Sequence, residues 1–170
     1  AFTSEVDGDA EIWIINSDGT GLRQLTHNTA QDFDPSISGD GSKIAFKSNV
    51  GGDFEIYVVN SDGTGLRQIT SNTADETNPS ISGDGSKIAF QSDVDGDAEI
   101  WIINSDGLSG LLKLTSNTAW DSDPSISGGG SKIAFQSNMD GDYEIYVINS
   151  GGTGLLQLTH NTAQDSRSLL

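Results

Sequence analysis

The chain has 170 residues, with 25 acidic side chains against 8 basic ones and a formal net charge of −17. That balance opposes nucleic acid and anionic membranes, whose binding depends on Lys and Arg neutralising phosphate; basic proteins, cations and neutral ligands remain as partners. The absence of cysteine excludes a disulfide framework and a thiolate metal site. No apolar stretch is long enough to span a bilayer, and Ala1 opens no signal-peptide pattern, as in a mature or truncated product whose address has been removed.

Low hydrophobicity with high charge is also a mark of disorder. Here, however, the apolar residues form short β-branched and aromatic runs bounded by Gly, Asp and Asn, the pattern of strands and turns. The dipeptide Ala-Phe recurs at Ala1, Ala45, Ala89 and Ala134, with spacings of 44, 44 and 45 residues. One domain, residues 1–170, is thus divided into repeats 1–44, 45–88, 89–133 and 134–170. The extra residue of the third copy falls in SDGLSGLLKL, where the first copy has SDGTGLRQL. An insertion within a strand would turn every later side chain to the wrong face, so it marks a turn.

In chain order, a copy predicts four strands. Pro35–Ser38 is a short strand closed by the turn Gly39-Asp40-Gly41, and Lys43–Ser48 alternates as a partly buried strand. Glu55–Asn60 (EIYVVN) is almost continuously apolar and is expected to be covered on both faces; Leu66–Thr70 is the last strand. Asp-Gly pairs supply the positive φ that tight hairpins need. Hairpin-linked strands at this period predict an all-β fold, a β-propeller of four-stranded antiparallel blades.

The string Pro-x-x-Ser-x-Asp-Gly-x-Lys-Ile-Ala-Phe-x-Ser (Pro79–Ser92) and the run from Gly52 to Thr70 resemble the TolB-type, WD-like propeller repeat. The resemblance covers essentially the whole chain. It implies a periplasmic or secreted protein that serves as a protein-interaction platform or as the accessory domain of a larger enzyme. Two features depart from the family: Ile37, Ile81 and Ile126 stand where it usually has an aromatic residue in the innermost strand, and its rings commonly have six or more blades.

The chain starts at the second strand of a blade, and Ser166–Leu170 aligns with Phe33–Ile37. Three arrangements follow: these residues complete the first blade and close a four-bladed ring, two chains join as a homodimer in an eight-bladed ring, or the chain is a piece of a longer protein. Truncation of Ser166–Leu170 is expected to weaken assembly.

Antiparallel strands place the turn between second and third strands on the same face as the link to the next blade, and most of the acids fall there. The opposite face receives Asp18, Asp40, Asp62, Asp84 and Asp106, while Glu11, Glu55, Glu99 and Glu144 begin third strands. The equivalent link residues Asp32, Glu76, Asp121 and Asp165 are the candidate ligands of an axial cation such as calcium, because hard ions take clustered carboxylates. Their neighbours Asp34, Asn78 and Asp123 are also equivalent to one another. The run Asp93-Val94-Asp95-Gly96-Asp97 resembles the opening of a calcium loop but lacks its closing Glu, and the second copy has Asn49 and Gly51 there, which favours a hairpin turn.

No nucleophile sits on a strand-to-helix elbow, and His27 and His160 share a polar position that is Ser71 and Ser116 elsewhere. Trp13, Tyr57, Trp101 and Tyr146 share a third-strand position and are expected between blades. Trp120 replaces Gln31 or Asp75 in a polar link and is, with Asp123 and Asp34, a candidate partner contact. The sequence therefore reads as a non-enzymatic scaffold with an acidic binding face, no certain cofactor and a protein partner. The alternative is an accessory propeller of a secreted hydrolase or lyase.

Overall fold

The computed structural model describes residues 1–6 and 8–166, and among them it contains strands and turns but no helix. Four antiparallel meanders follow one another. The first is β1 (Phe2–Ser4), β2 (Glu11–Ile14) and β3 (Arg23–Gln24). The second is β4 (Asp32–Ile37), β5 (Lys43–Ser48), β6 (Glu55–Asn60) and β7 (Arg67–Gln68). The third is β8 (Glu76–Ile81), β9 (Lys87–Ser92), β10 (Glu99–Asn104) and β11 (Leu112–Lys113). The fourth is β12 (Asp121–Ile126), β13 (Lys132–Ser137), β14 (Glu144–Asn149) and β15 (Leu156–Gln157).

The sheets are offset from the Ala-Phe repeats, because each sheet takes its innermost strand from the copy before it. The long third strands behave as their composition requires: Ile56, Tyr57, Val58 and Val59 are all buried. The last strands pair over two residues each, shorter than the sequence suggests. The innermost strands are longer. In β4 the pairing with β5 slips by one residue between Phe33 and Ser36, and Asp34 inside the slip has φ 54°. Asn78 and Asp123 repeat this bulge in β8 and β12. Each is followed by Pro35, Pro79 or Pro124, a residue that a sheet interior accepts only at such an interruption.

Core formation occurs between sheets. Ile12 and Leu25 of the first pack on Ile44 and Phe46 of the second. Ile56, Val58 and Ile69 meet Phe90, and Ile100, Ile102 and Leu114 meet Phe135. Of the third-strand aromatics, Tyr57 and Tyr146 are buried and stack on Phe46 and Phe135, while Trp101 is partly buried against the second cluster.

At the axial ends the glycines set the spacing: a Cβ on Gly39 would lie 3.1 Å from Gly83 Cα, and one on Gly83 would lie 2.9 Å from the Gly128 carbonyl oxygen. On the same side, Lys43 Nζ donates to the Gly85 carbonyl and to Ser105 Oγ, each at 3.1 Å.

No ring closes among the described residues. Phe2 is 38% exposed where Phe46, Phe90 and Phe135 are at most 2%, and Leu158 is 50% exposed where Leu25, Ile69 and Leu114 are at most 7%. Two apolar faces of the blade stack are therefore open. The closing role expected of Ser166–Leu170 lies outside the described residues, apart from Ser166.

Candidate functional site

The acids expected to ring the axis are, in three of the four copies, buried where one sheet meets the next. Asp32, Glu76 and Asp121 open the innermost strands β4, β8 and β12 and are buried at 0%, 1% and 0% exposure. Their backbone amides donate to Ala10, Phe54 and Ala98 of the preceding sheet, at 2.7 to 2.8 Å. Each therefore lies at a junction between blades, and each meets the glutamate that opens the preceding third strand.

Asparagine joins the two carboxyl groups. The Asn28 amide nitrogen donates to Glu11 Oε1 at 2.6 Å, and its side-chain nitrogen donates to Asp32 Oδ2 at 2.9 Å. Asn72 joins Glu55 to Glu76, and Asn117 joins Glu99 to Asp121, in the same way. Asn161 repeats the contacts with Glu144 and Asp165; Glu144 is buried, but Asp165, with no following sheet among the described residues, is partly exposed. Burial raises the carboxyls of Glu11 and Glu99, and it pushes Glu76 up to about 8, aided by the neighbouring Glu55. Asp165 is held below the usual range by bonds from Thr159 and Asn161.

The bulges place a second set of residues. Asn78 Nδ2 donates to Asp123 Oδ1 at 2.8 Å and to Gln91 Oε1 at 3.2 Å, tying one innermost strand to the next. Gln136 Nε2 donates to Asp123 Oδ2 at 2.8 Å, and Lys47 pairs with Asp34 at 2.8 Å. Left-handed backbone is tolerated by Asp and Asn but is uncommon, so all three copies hold a polar side chain at a constrained position. Asp34 is exposed, and Asp123 is partly so. Trp120 is 48% exposed in the link that enters β12, and its amide donates to Asn138 Oδ1 at 2.8 Å. His27 and His160 are both exposed.

The loops between second and third strands separate two outcomes of one motif. In the third blade Lys113 Nζ lies 2.8 Å from Asp95 and 3.5 Å from Glu99, so an ammonium of the chain itself sits between two of the loop's carboxylates. In the fourth blade neutral Gln157 stands at the Lys113 position and donates to Asp140. There Asp140, Asp142 and Glu144 bring carboxylate oxygens within 4.8 Å of one another, a set able to hold a hard divalent cation. These residues were not the set picked from the sequence. The signal was present in the spacing Asp-Gly-Asp-x-Glu, which ends on the third-strand glutamate instead of the distant one of a calcium loop.

The model of the TolB beta propeller domain family matches residues 1–92 and 50–169. The chain belongs to the TolB β-propeller family. A TolB homolog of Chlorobium luteolum is 41% identical over 46 residues, covering 27% of this chain and 11% of that protein. Among solved structures, TolB from Acinetobacter baumannii is similar with a TM-score of 0.80 at 24% identity, over 95% of this chain and 40% of that one. A TolB-assigned protein from Agrobacterium tumefaciens gives 0.78 at 24% identity, over 91% of this chain and 58% of that one. The chain thus spans little more than half the length of these solved relatives, or less. Enzymes share the fold too: an oligogalacturonate lyase in complex with manganese is similar with a TM-score of 0.71 at 13% identity, over 94% of this chain and 49% of that one.

Proposed function

We propose that these blades form a non-enzymatic binding platform, periplasmic or secreted, that takes a protein partner on the acidic side where the innermost strands begin. The observation that carries this is Trp120. A large amphipathic ring stands half out of the surface in the link to β12, the strand that carries Asp123, at a position where the other copies have Gln31, Asp75 and Gln164. Exposed Trp flanked by acids suits a basic partner surface with one apolar anchor. Asp34 and Asp123 supply the charge and Trp120 the anchor. A divalent cation is an accessory ligand on this side, with Asp140, Asp142 and Glu144 better disposed to hold it than the buried Asp32, Glu76, Asp121 and the half-covered Asp165.

The test is a photo-cross-linker at position 120, compared with one at exposed Leu108 in the Asp-Gly turn of the third blade. A discrete, salt-sensitive adduct from position 120 alone is expected. Equal adducts from both positions, or none from either, would remove the platform reading. The second reading, an accessory propeller of a hydrolase or lyase, draws on the enzymes that share the fold. It predicts a catalytic domain encoded in the same reading frame. The open faces at Phe2 and Leu158 accept further blades of this repeat, from the same protein or from a second copy, and mass in solution distinguishes the two.

A further inference from the structure

The junctions contain more acceptors than donors. Once Asn28 has donated to both carboxyl groups, Glu11 Oε2 and Asp32 Oδ1 remain buried with no hydrogen-bond partner. The next junction leaves Glu55 Oε2 and Glu76 Oε2 in the same condition, and the one after leaves Glu99 Oε2 and Asp121 Oδ1. All six oxygens belong to side chains no more than 3% exposed. A buried acceptor without a donor is costly, and two ionised carboxylates on one asparagine in a dry site repel each other. One proton resolves both problems, since it turns an orphan acceptor into a donor and removes one of the charges.

We propose that each of these three junctions binds one proton shared between its two carboxyl groups, so that the packing of successive blades is coupled to proton uptake. The surroundings differ from junction to junction. At the first, Thr26 bonds to Glu11, and Tyr57 faces Asp32, Glu55 and Asp53. At the second, Ser92 donates to Glu76 Oε1 at 2.7 Å and Asn72 to the same atom, and no ammonium is within ion-pair reach among the described residues. At the third, Lys113 sits 3.5 Å from Glu99 Oε1, with Asp95 on its other side, and Tyr146 faces Asp121, Asp140, Asp142 and Glu144. The positive charge of Lys113 favours the ionised form there. The second junction therefore holds its proton most tightly, in accord with a Glu76 carboxyl near 8. The pair Glu144–Asp165 is built differently: Asp165 is partly exposed, and the Asn161 side-chain nitrogen reaches Oε2 of Glu144 as well as Asp165.

Urea unfolding of the full chain at pH 5, 7 and 9 tests this. A group protonated in the fold and ionised when unfolded weakens folding by up to tenfold per pH unit between its two pKa values. Wild-type stability is thus expected to fall as pH rises from about 5 towards 8. In Glu76→Gln, a neutral amide replaces the proton-bearing group, so the slope is expected to lose up to about tenfold per unit and the variant to match or exceed wild type at pH 9. Carbon-13 titration of glutamate-labelled folded chain gives an independent readout, with one glutamate resonance titrating near 8. Equal slopes for wild type and Glu76→Gln, or glutamates all ionised by pH 6, would overturn the proposal. So would a slope that appears in EDTA and vanishes in calcium, which would assign the orphan oxygens to a metal.

Discussion

Phe2 and Phe90 occupy the same repeat position, one on an open face and one sealed between blades, and this contrast yields the sharpest test of the stacked architecture. Phe90 lies in a cluster with Ile56, Val58 and Ile69 of the preceding sheet, and Phe90→Ala leaves a cavity that neither sheet can fill. Truncation of a buried Phe costs about 3–5 kcal/mol. Phe2 is 38% exposed, and its removal opens onto solvent, so no cavity term arises. Full burial of a Phe is worth about 1.5–3 kcal/mol, which leaves roughly 1–2 kcal/mol for Phe2→Ala. Urea melts followed by Trp fluorescence measure both losses, and the slope of each transition shows whether the stack still unfolds as one unit. In a stack whose repeats touch only their neighbours, Phe2→Ala should also leave the later junctions intact. Equal losses at the two positions would refute blade-to-blade burial as the source of stability, or would mean that Phe2 is covered by a further blade in solution. A mass measurement on the same sample tells these apart.

Gly83→Ala, whose Cβ would meet the Gly128 backbone at 2.9 Å, should cost about 1–3 kcal/mol in urea, while Gly128→Ala, with open space around it, should cost less than about 0.5. Asn72→Ala removes the donor to Glu76 and should cost about 1–3 kcal/mol, against a smaller loss for Asn161→Ala, whose acceptor Asp165 is partly exposed. Asp40 and Asp84 are held at about 2 by serine hydroxyls and the Ser42 and Ser86 amides, below the ordinary 3.8, so their contribution is present above that range and lost as pH falls through about 2. Glu76 acts in the opposite direction, and melting temperature plotted against pH should therefore peak at roughly pH 4 to 5, with Asp84→Asn flattening the acid limb alone. Calcium should raise the melting temperature more than sodium chloride of equal ionic strength, and Asp142→Asn should abolish the difference; equal shifts would leave the loop acids as solvated charge.

The blades themselves were legible in the sequence because three local signals agree. Period, Asp-Gly turns and apolar third strands all specify a meander, and the Phe46, Phe90 and Phe135 of the Ala-Phe repeat are buried in it. The placement of the axial acids was not legible, and the reason is one residue. Reading the innermost strand from Pro35 leaves Asp32 and Asp34 together in a link. The structure begins that strand at Asp32 and inserts a bulge at Asp34, so Asp32 turns into the junction while Asp34 stays exposed. Alternation counts faces by parity and cannot see an inserted residue. The clue lay in Asp34-Pro35, Asn78-Pro79 and Asp123-Pro124: a proline inside a strand demands an interruption, and Asp or Asn before it can adopt the left-handed backbone.

The same miscount affects the meaning of the charge. A net charge of −17 reads as one acidic surface only if every acid is at the surface. Glu11, Asp32, Glu55, Glu76, Glu99 and Asp121 are buried, and the repeated asparagine after each last strand is what makes their burial possible. Glu11, Glu55 and Glu99 read in the sequence as simple strand openers, because a carboxylate facing water and one facing a second carboxylate are written with the same letter. What distinguishes them is the partner, and the partner lies in the next blade. The acidic surplus therefore divides by position within the repeat: bulge and loop acids such as Asp34, Asp95 and Asp140 reach solvent, whereas the strand-opening acids join one blade to the next. A substitution that neutralises the first class should change what the chain binds, and one that neutralises the second should change how firmly its blades are joined.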